Sequence, residues 1–96
     1  MSIEKPNYTV EIYTKAVCPY CVNAKNLFDS KGISYTEYRI DQSEKDLTNM
    51  LEITGRRTVP QIIINGTSIG GFDDLFSIFQ AGKLDEMLND VINEEN

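Results

Sequence analysis

The hydrophobic and polar positions along the chain change period several times, and each period predicts a different element. Residues 8–14 (YTVEIYT) alternate and are rich in β-branched and aromatic side chains, which predicts a strand. The segment from Pro19 to Lys31 predicts a helix, because Pro19 suits a first helical position and Gly32 suits a helix stop. Residues 33–40 (ISYTEYRI) predict a second strand. The first 40 residues therefore predict strand, helix and strand.

The second half of the chain contains five further predicted elements. These are a helix from Ser43 to about Thr54, strands at 61–65 and 67–69, a helix at about 73–80 and a last helix from about Leu84. Ser43 can cap the first of these helices and Gly55 can end it. Three consecutive isoleucines at 62–64 indicate a strand buried on both faces, and Asn65-Gly66 predicts a tight hairpin.

Apolar residues at helical spacing indicate which side chains of three helices face the core. They are Val22, Leu27 and Phe28 beside Ala24 in the first helix, Leu47, Met50, Leu51 and Ile53 in the second, and Leu84, Met87, Leu88, Val91 and Ile92 in the last. We expect these side chains to cover the sheet.

The order β-α-β-α-β-β-α-α predicts an α/β fold with one mixed sheet. A βαβ unit implies a parallel strand pair with a right-handed crossover, and the later hairpin adds an antiparallel pair. The expected result is a four-stranded mixed sheet with helices on both faces. A chain of 96 residues suits one domain over 1–96, with a core at about 8–88 and an acidic C-terminal helix and tail after it.

The net charge is −6, from 9 basic and 15 acidic residues, and this argues against nucleic acid as a partner. The acids are concentrated beyond Leu84, a region without a basic residue, which favours a solvated helix face. No apolar run approaches the roughly 18 residues that span a membrane. Residues 1–8 lack the apolar core of a signal peptide, so we expect a cytoplasmic protein that does not bind membranes.

Two cysteines, Cys18 and Cys21, provide the candidate chemistry. A helix N-terminus favours a thiolate, and Cys18 lies at the predicted cap position just before Pro19. Cys21 lies one turn deeper on the same helical face, within disulfide reach but less accessible. Lys15 adds a nearby positive charge. We therefore expect Cys18 to attack and Cys21 to resolve.

Three other interpretations of the pair are weaker. A zinc site needs about four ligands, and the chain has no histidine and no third cysteine. A structural disulfide across so short a loop constrains little of the unfolded chain and is disfavoured in the cytosol. Inert cysteines seldom flank Pro-Tyr at a strand–helix junction. The pattern favours a redox pair and no bound metal.

Four segments in order resemble the motifs of a dithiol glutaredoxin. They are Tyr13-Thr14-Lys15, Cys18-Pro19-Tyr20-Cys21, Thr58-Val59-Pro60 and Gly70-Gly71-Phe72-Asp73-Asp74. The resemblance implies a thioredoxin-like fold with Pro60 in the cis form. It also implies an enzyme, a glutathione-dependent thiol–disulfide oxidoreductase that acts on protein disulfides and glutathione mixed disulfides. Glutathione is the implied reductant, ribonucleotide reductase is one candidate protein partner, and a monomer is expected.

The resemblance further implies how glutathione binds. Its glycine carboxylate meets Lys15 and Arg57, with Arg56 as a further candidate, and its cysteine backbone pairs with Val59. Its γ-glutamyl end meets the helix start after Gly70-Gly71, where backbone N–H groups bind the carboxylate and an aspartate accepts from the ammonium. The full predicted set is Lys15, Tyr20, Arg57, Thr58, Val59, Pro60, Gly71, Phe72, Asp73 and Asp74.

Two alternatives remain, of which the first is from a different class of protein. The first is a dimeric carrier that holds a [2Fe–2S] cluster through Cys18 of each chain and glutathione, which Pro19 disfavours. The second is a redoxin reduced by thioredoxin reductase instead of glutathione, against which the Gly71-to-Asp74 motif argues.

Overall fold

The structure, a computed structural model, describes residues 7–88, and these form the predicted succession of strands and helices. The elements are β1 (Val10–Thr14), α1 (Pro19–Ser30), β2 (Thr36–Arg39), α2 (Glu44–Thr54), β3 (Gln61–Ile64), β4 (Thr67–Gly70), α3 (Phe72–Gln80) and α4 (Leu84–Leu88). Val91 and Ile92 of the predicted last helix lie outside the described residues. For the same reason, a single domain over 1–96 stays a prediction.

The four strands form one mixed sheet in the order β2-β1-β3-β4. β1 pairs with β2 in parallel, while β3 pairs antiparallel with β1 and with β4. The predicted α/β class and mixed sheet are therefore confirmed. The longest helix, α1, has 12 residues, and no helix within residues 7–88 is long and apolar enough to cross a membrane.

Two apolar clusters cover the two faces of the sheet. On one face, Ile12 and Ile62 pack with Phe28 of α1 and Leu75 of α3, all without exposed surface. The cluster on the other face is smaller, and in it Met50 of α2 packs with side chains from β1 and β3. All four residues of β3 are buried, which confirms the prediction that this strand is covered on both sides.

Some predicted positions differ from the structure. Val22 and Ile53 are 50% and 48% exposed, so their predicted burial is wrong. The buried stripe of α1 consists of Cys21, Ala24 and Phe28, and a residue next to Cys21 necessarily points away from it. The second strand is shorter than predicted because Ile33 belongs to the turn after α1, where its N–H donates to the Phe28 carbonyl at 2.9 Å.

Local signals at the element ends are confirmed. The Ser43 hydroxyl accepts from the Asp46 N–H at 3.2 Å and caps α2, which ends at Gly55 in a left-handed conformation. Asn65 and Gly66 both have positive φ, 50° and 84°, as a tight two-residue hairpin requires. The end of α2 at Gly55 leads directly into residues 56–60, the loop that contains the cis proline.

Candidate active site

The first cysteine lies at the junction of β1 and α1, where it caps the helix. Cys18 has extended backbone angles, and its sulfur accepts a hydrogen bond from the Cys21 N–H at 3.1 Å. The Val22 N–H donates to the Cys18 carbonyl at 3.1 Å and starts the helical ladder. The Cys21 N–H, which has no carbonyl partner within the helix, and the positive end of the helix dipole both favour a negative charge on this sulfur. The geometry is that of a stabilised thiolate once the pair is reduced.

The two cysteines form a disulfide, with their Cα atoms 5.2 Å apart. Cys21 is only 2% exposed, whereas Cys18 is partly exposed. An external sulfur therefore reaches Cys18 more easily than Cys21. The difference in exposure agrees with the predicted division into an attacking and a resolving cysteine, which stays a prediction.

A proline loop lies against the sulfur of Cys18. The Val59–Pro60 peptide bond is cis, as the resemblance implies. The Val59 carbonyl oxygen is 3.9 Å from Cys18 Sγ, which is a contact and not a hydrogen bond while the sulfur is in a disulfide. The start of α3 is also close, since a Cβ built on Gly71 would lie 3.5 Å from the Pro60 carbonyl oxygen. The proline loop and the α3 N-terminus thus meet beside the redox pair.

A groove of about 230 Å³ opens between these segments. It is lined by Tyr20, Arg56, Thr58, Val59, Pro60, Gln61, Gly71, Phe72, Asp73 and Asp74. Tyr20 is 59% exposed and stacks on Phe72 with ring centroids 6.3 Å apart. The structure therefore brings together every member of the predicted glutathione-binding set except Lys15 and Arg57.

The basic residues differ in their placement. Arg56 lines the groove and Arg57 does not, although Arg57 is exposed on the same loop. The loop is held there by Thr54, whose hydroxyl oxygen accepts from the Arg56 N–H at 3.0 Å. Lys15 lines a different depression on the other side of Cys18. Nothing in the spacing of two adjacent arginines distinguishes which one enters a groove.

Gln61 is a lining residue that the sequence interpretation missed. Its side chain is 1% exposed, and its Nε2 donates to the Thr58 hydroxyl at 3.1 Å. Its Oε1 has no hydrogen-bond partner among the protein atoms. A polar residue before three isoleucines was the available signal, because buried amides are kept where they hydrogen-bond. Gln61 here fixes the Thr58 side of the groove.

The N-terminus of α3 forms one end of the groove. The Asp74 carboxylate accepts from the Gly71 N–H at 3.0 Å and so acts as a helix cap. Asp73 is exposed in the first turn. Helix N–H groups together with the Asp73 carboxylate suit a ligand end that carries both a carboxylate and an ammonium group.

The depression beside Lys15 has a volume of about 350 Å³ and is lined in part by the charged side chains of Lys25, Glu37 and Arg39. Glu37 accepts from the Thr14 hydroxyl at 2.6 Å and from the Lys25 ammonium at 2.9 Å. Partial burial raises the pKa of Glu37, but the hydrogen bonds from Thr14 and Lys25, with the charges of Lys25 and Arg39, outweigh it and hold that pKa below its ordinary value. Glu37 is therefore ionised at neutral pH.

Comparison with known proteins identifies the family of this chain. The glutaredoxin family model matches residues 10–69. Glutaredoxin 3 of Escherichia coli K12 is 49% identical over 79 residues, which cover 82% of this chain and 95% of its own length. A glutaredoxin of Neisseria meningitidis serogroup A is 44% identical over 82 residues, covering 84% of this chain and 96% of its own.

Solved structures give the same result. The crystal structure of a buckwheat glutaredoxin–glutathione complex is similar with a TM-score of 0.77 at 34% identity, covering 88% of this chain and 80% of that one. The solution structure of a glutaredoxin from Brucella melitensis has a TM-score of 0.75 at 39% identity, covering 88% and 91%. The fold is thioredoxin-like. With a cysteine pair joined at the start of α1, the chain belongs to the glutaredoxin family of thiol–disulfide oxidoreductases.

Proposed function

We propose that this chain reduces glutathione mixed disulfides and protein disulfides with glutathione as the reductant. The observation that carries the proposal is the position of Cys18 Sγ. It lies at a helix N-terminus, 3.1 Å from the Cys21 N–H and 3.9 Å from the Val59 carbonyl oxygen. A stabilised thiolate is thus adjacent to a groove whose walls offer backbone groups and charges of both signs.

With a glutathione mixed disulfide, the Cys18 thiolate attacks the glutathione sulfur. A Cys18–glutathione disulfide forms, the original disulfide breaks, and the substrate sulfur leaves as a thiolate that takes a proton from water. The thiolate of a second glutathione then attacks the bound glutathione sulfur. Oxidised glutathione leaves and the Cys18 thiolate is restored.

With a protein disulfide, the Cys18 thiolate first forms a mixed disulfide with one substrate sulfur. Cys21 loses its proton and attacks the Cys18 sulfur, which closes the Cys18–Cys21 disulfide and releases the substrate as a dithiol. Two glutathione molecules then return the pair to the reduced state. The burial of Cys21 supports this order, since it limits competition from outside thiols.

Glutathione is a tripeptide with two carboxylates, and the groove offers a partner for each. We propose that Val59 pairs with its cysteine backbone and that Gly71, Phe72 and Asp73 receive its γ-glutamyl end. Arg56, which lines the groove, together with Arg57 and Lys15, balances the glycine carboxylate. The similar buckwheat structure is a glutaredoxin–glutathione complex, which supports glutathione as the ligand. Tyr20, Thr58, Pro60 and Asp74 complete the proposed walls.

The wider setting is proposed from the same chemistry. The protein partners are disulfide-containing or glutathionylated proteins, with ribonucleotide reductase among the candidates. We propose that the chain acts in the cytoplasm, because glutathione keeps thiols reduced there. We also propose that it acts as a monomer.

A glutathione-coupled disulfide reduction assay tests these roles. Cys21→Ser should retain activity on a glutathionylated peptide and lose most activity on a protein disulfide, whereas Cys18→Ser should lose both. Activity in Cys18→Ser would show that the roles are assigned wrongly. Activity with thioredoxin reductase but none with glutathione would favour the reductase-linked alternative. Visible absorbance of the freshly purified protein would favour the cluster carrier.

A further inference from the structure

The loop that leads into Cys18 has an unusual backbone. Val17 has a φ of 55° and is 95% exposed, so no packing of its side chain explains this conformation. The left-handed region is unfavourable for a β-branched residue and persists only where the surroundings impose it. Some contact outside the loop must therefore hold residues 15–17 in place.

That contact comes from the connection between β2 and α2. The Ile40 N–H donates to the Thr14 carbonyl at 2.9 Å, directly before the loop. The Ala16 N–H then donates to Asp41 Oδ2 at 3.1 Å, inside the loop and two residues before Cys18. Asp41 lies 25 positions away along the chain, so the bond ties two separate segments together.

The Asp41 carboxylate is itself fixed on both oxygens. Arg39 Nε donates to Oδ1 at 2.7 Å, and a second guanidinium nitrogen donates to Oδ2 at 2.8 Å. This fork holds the carboxylate in one orientation. The hydrogen bonds from Arg39, followed by the one from the Ala16 N–H, hold the pKa of Asp41 well below its usual range. The acceptor is thus charged wherever the redox chemistry runs.

We infer that Asp41 is a positioning residue for Cys18. Its carboxylate, oriented by Arg39, fixes the Ala16 N–H and with it the left-handed turn at Val17. That turn delivers Cys18 to the N-cap position of α1, with its sulfur facing the Cys21 N–H. The inference rests on the proposed function only in taking Cys18 as the attacking thiolate.

Two effects of removing Asp41 have opposite signs and can be separated. Loss of the loop bond weakens the Cys21 N–H···Sγ geometry and raises the pKa of Cys18. Loss of the negative charge of Asp41 would lower the pKa of Cys18, but only by a small amount, because solvent screens the interaction between these two side chains. Asp41→Asn removes the charge and keeps an oxygen for the Ala16 N–H, whereas Asp41→Ala removes both. The two variants therefore distinguish position from charge.

The test is the pH dependence of Cys18 alkylation by iodoacetamide in a Cys21→Ser background. Asp41→Ala should raise the midpoint by about one pH unit, the worth of one hydrogen bond to a charged group. At a pH below both midpoints, alkylation should be about tenfold slower. The midpoint for Asp41→Asn should stay within about 0.3 pH unit of the parent value. Asp85→Ala is the matched control, because Asp85 also pairs with a basic side chain, Lys31 at 3.6 Å, on a helix outside both depressions.

The other charged side chains around Cys18 remain in every variant. They are Lys15, Lys25, Glu37 and Arg39 in the depression and Arg56, Asp73 and Asp74 in the groove. An unchanged or lowered midpoint in Asp41→Ala would overturn the inference, and so would an equal rise in Asp41→Asn. If the parent midpoint is not below about 8.5, the ordinary value for a thiol, the proposed role of Cys18 fails whatever Asp41 does.

A second measurement needs no variant. Amide hydrogen exchange of the wild-type protein should show Ala16 protected although it lies in an exposed loop. Exchange of that amide at the rate of an open chain would mean that the bond to Asp41 does not hold, and would overturn the inference even if Asp41→Ala failed to fold.

Discussion

Replacing Val17 by asparagine should stabilise the protein. A non-glycine residue in the left-handed region costs about 1–2 kcal/mol, and asparagine tolerates that region better than most other residues. Because Val17 is 95% exposed, its side chain has almost no buried contact to lose. We therefore expect a gain of about 1 kcal/mol in the free energy of unfolding, or about 4–8 °C in Tm for a domain of this size.

Thermal and urea unfolding of the oxidised protein would measure this gain. Val22→Asn is the matched control, because Val22 is 50% exposed within the first turn of α1 and has no unfavourable φ to relieve. It should give no gain. If Val17→Asn were no more stable than the wild type, or no better than Val22→Asn, the strain assigned to the loop before Cys18 would be absent.

Three further predictions concern the sheet and its supports. Gly70→Ala should lower the free energy of unfolding by more than about 1 kcal/mol, because φ at Gly70 is 118° and the added Cβ would meet the Asp74 carboxylate. The control is Gly82→Ala, where φ is 75° and the Cβ would enter open space, so the loss should be smaller. Equal losses in urea unfolding would contradict this prediction. Phe28→Ala should cost about 3–5 kcal/mol in the same assay, since Phe28 has no exposed surface, and a loss below about 1.5 would contradict its place in the core. Glu37→Gln should be less stable than the wild type at pH 7, and the difference in the free energy of unfolding should shrink as the pH falls below about 4.5. The reason is that a carboxyl group with a lowered pKa in the folded state contributes stability only above its pKa in the unfolded state. A pH-independent difference in urea unfolding would refute this prediction.

Much of the fold follows from signals within a few residues of each other. Pro19 and Gly32 bound a helix, and Asn65-Gly66 specifies a hairpin, because each acts through its own backbone geometry. The isoleucine run at 62–64 indicates a central strand for the same local reason. These predictions are confirmed because local and tertiary preferences agree at these positions.

The polar contacts around the cysteines could not be predicted in this way. Asp41 and Ala16 are 25 positions apart, and Thr14 and Glu37 are 23 apart. Hydrophobic periodicity shows which face of an element is buried, but it does not show which side chains meet across a parallel strand pair. The sequence therefore predicts the redox pair and the walls of the groove, whereas the support beneath the pair needs the structure.

The strand order also decides where an extended partner chain can be recognised. Within residues 7–88, β2 and β4 form the two edges of the sheet, and each has only four residues. Glu37 and Arg39 place charges on one edge, and short charged edges oppose strand addition by another chain. We expect the sheet margins to resist aggregation between copies. Among residues 7–88, we therefore expect main-chain pairing with a partner at Val59, as proposed above, where a bound peptide would already be beside a sulfur.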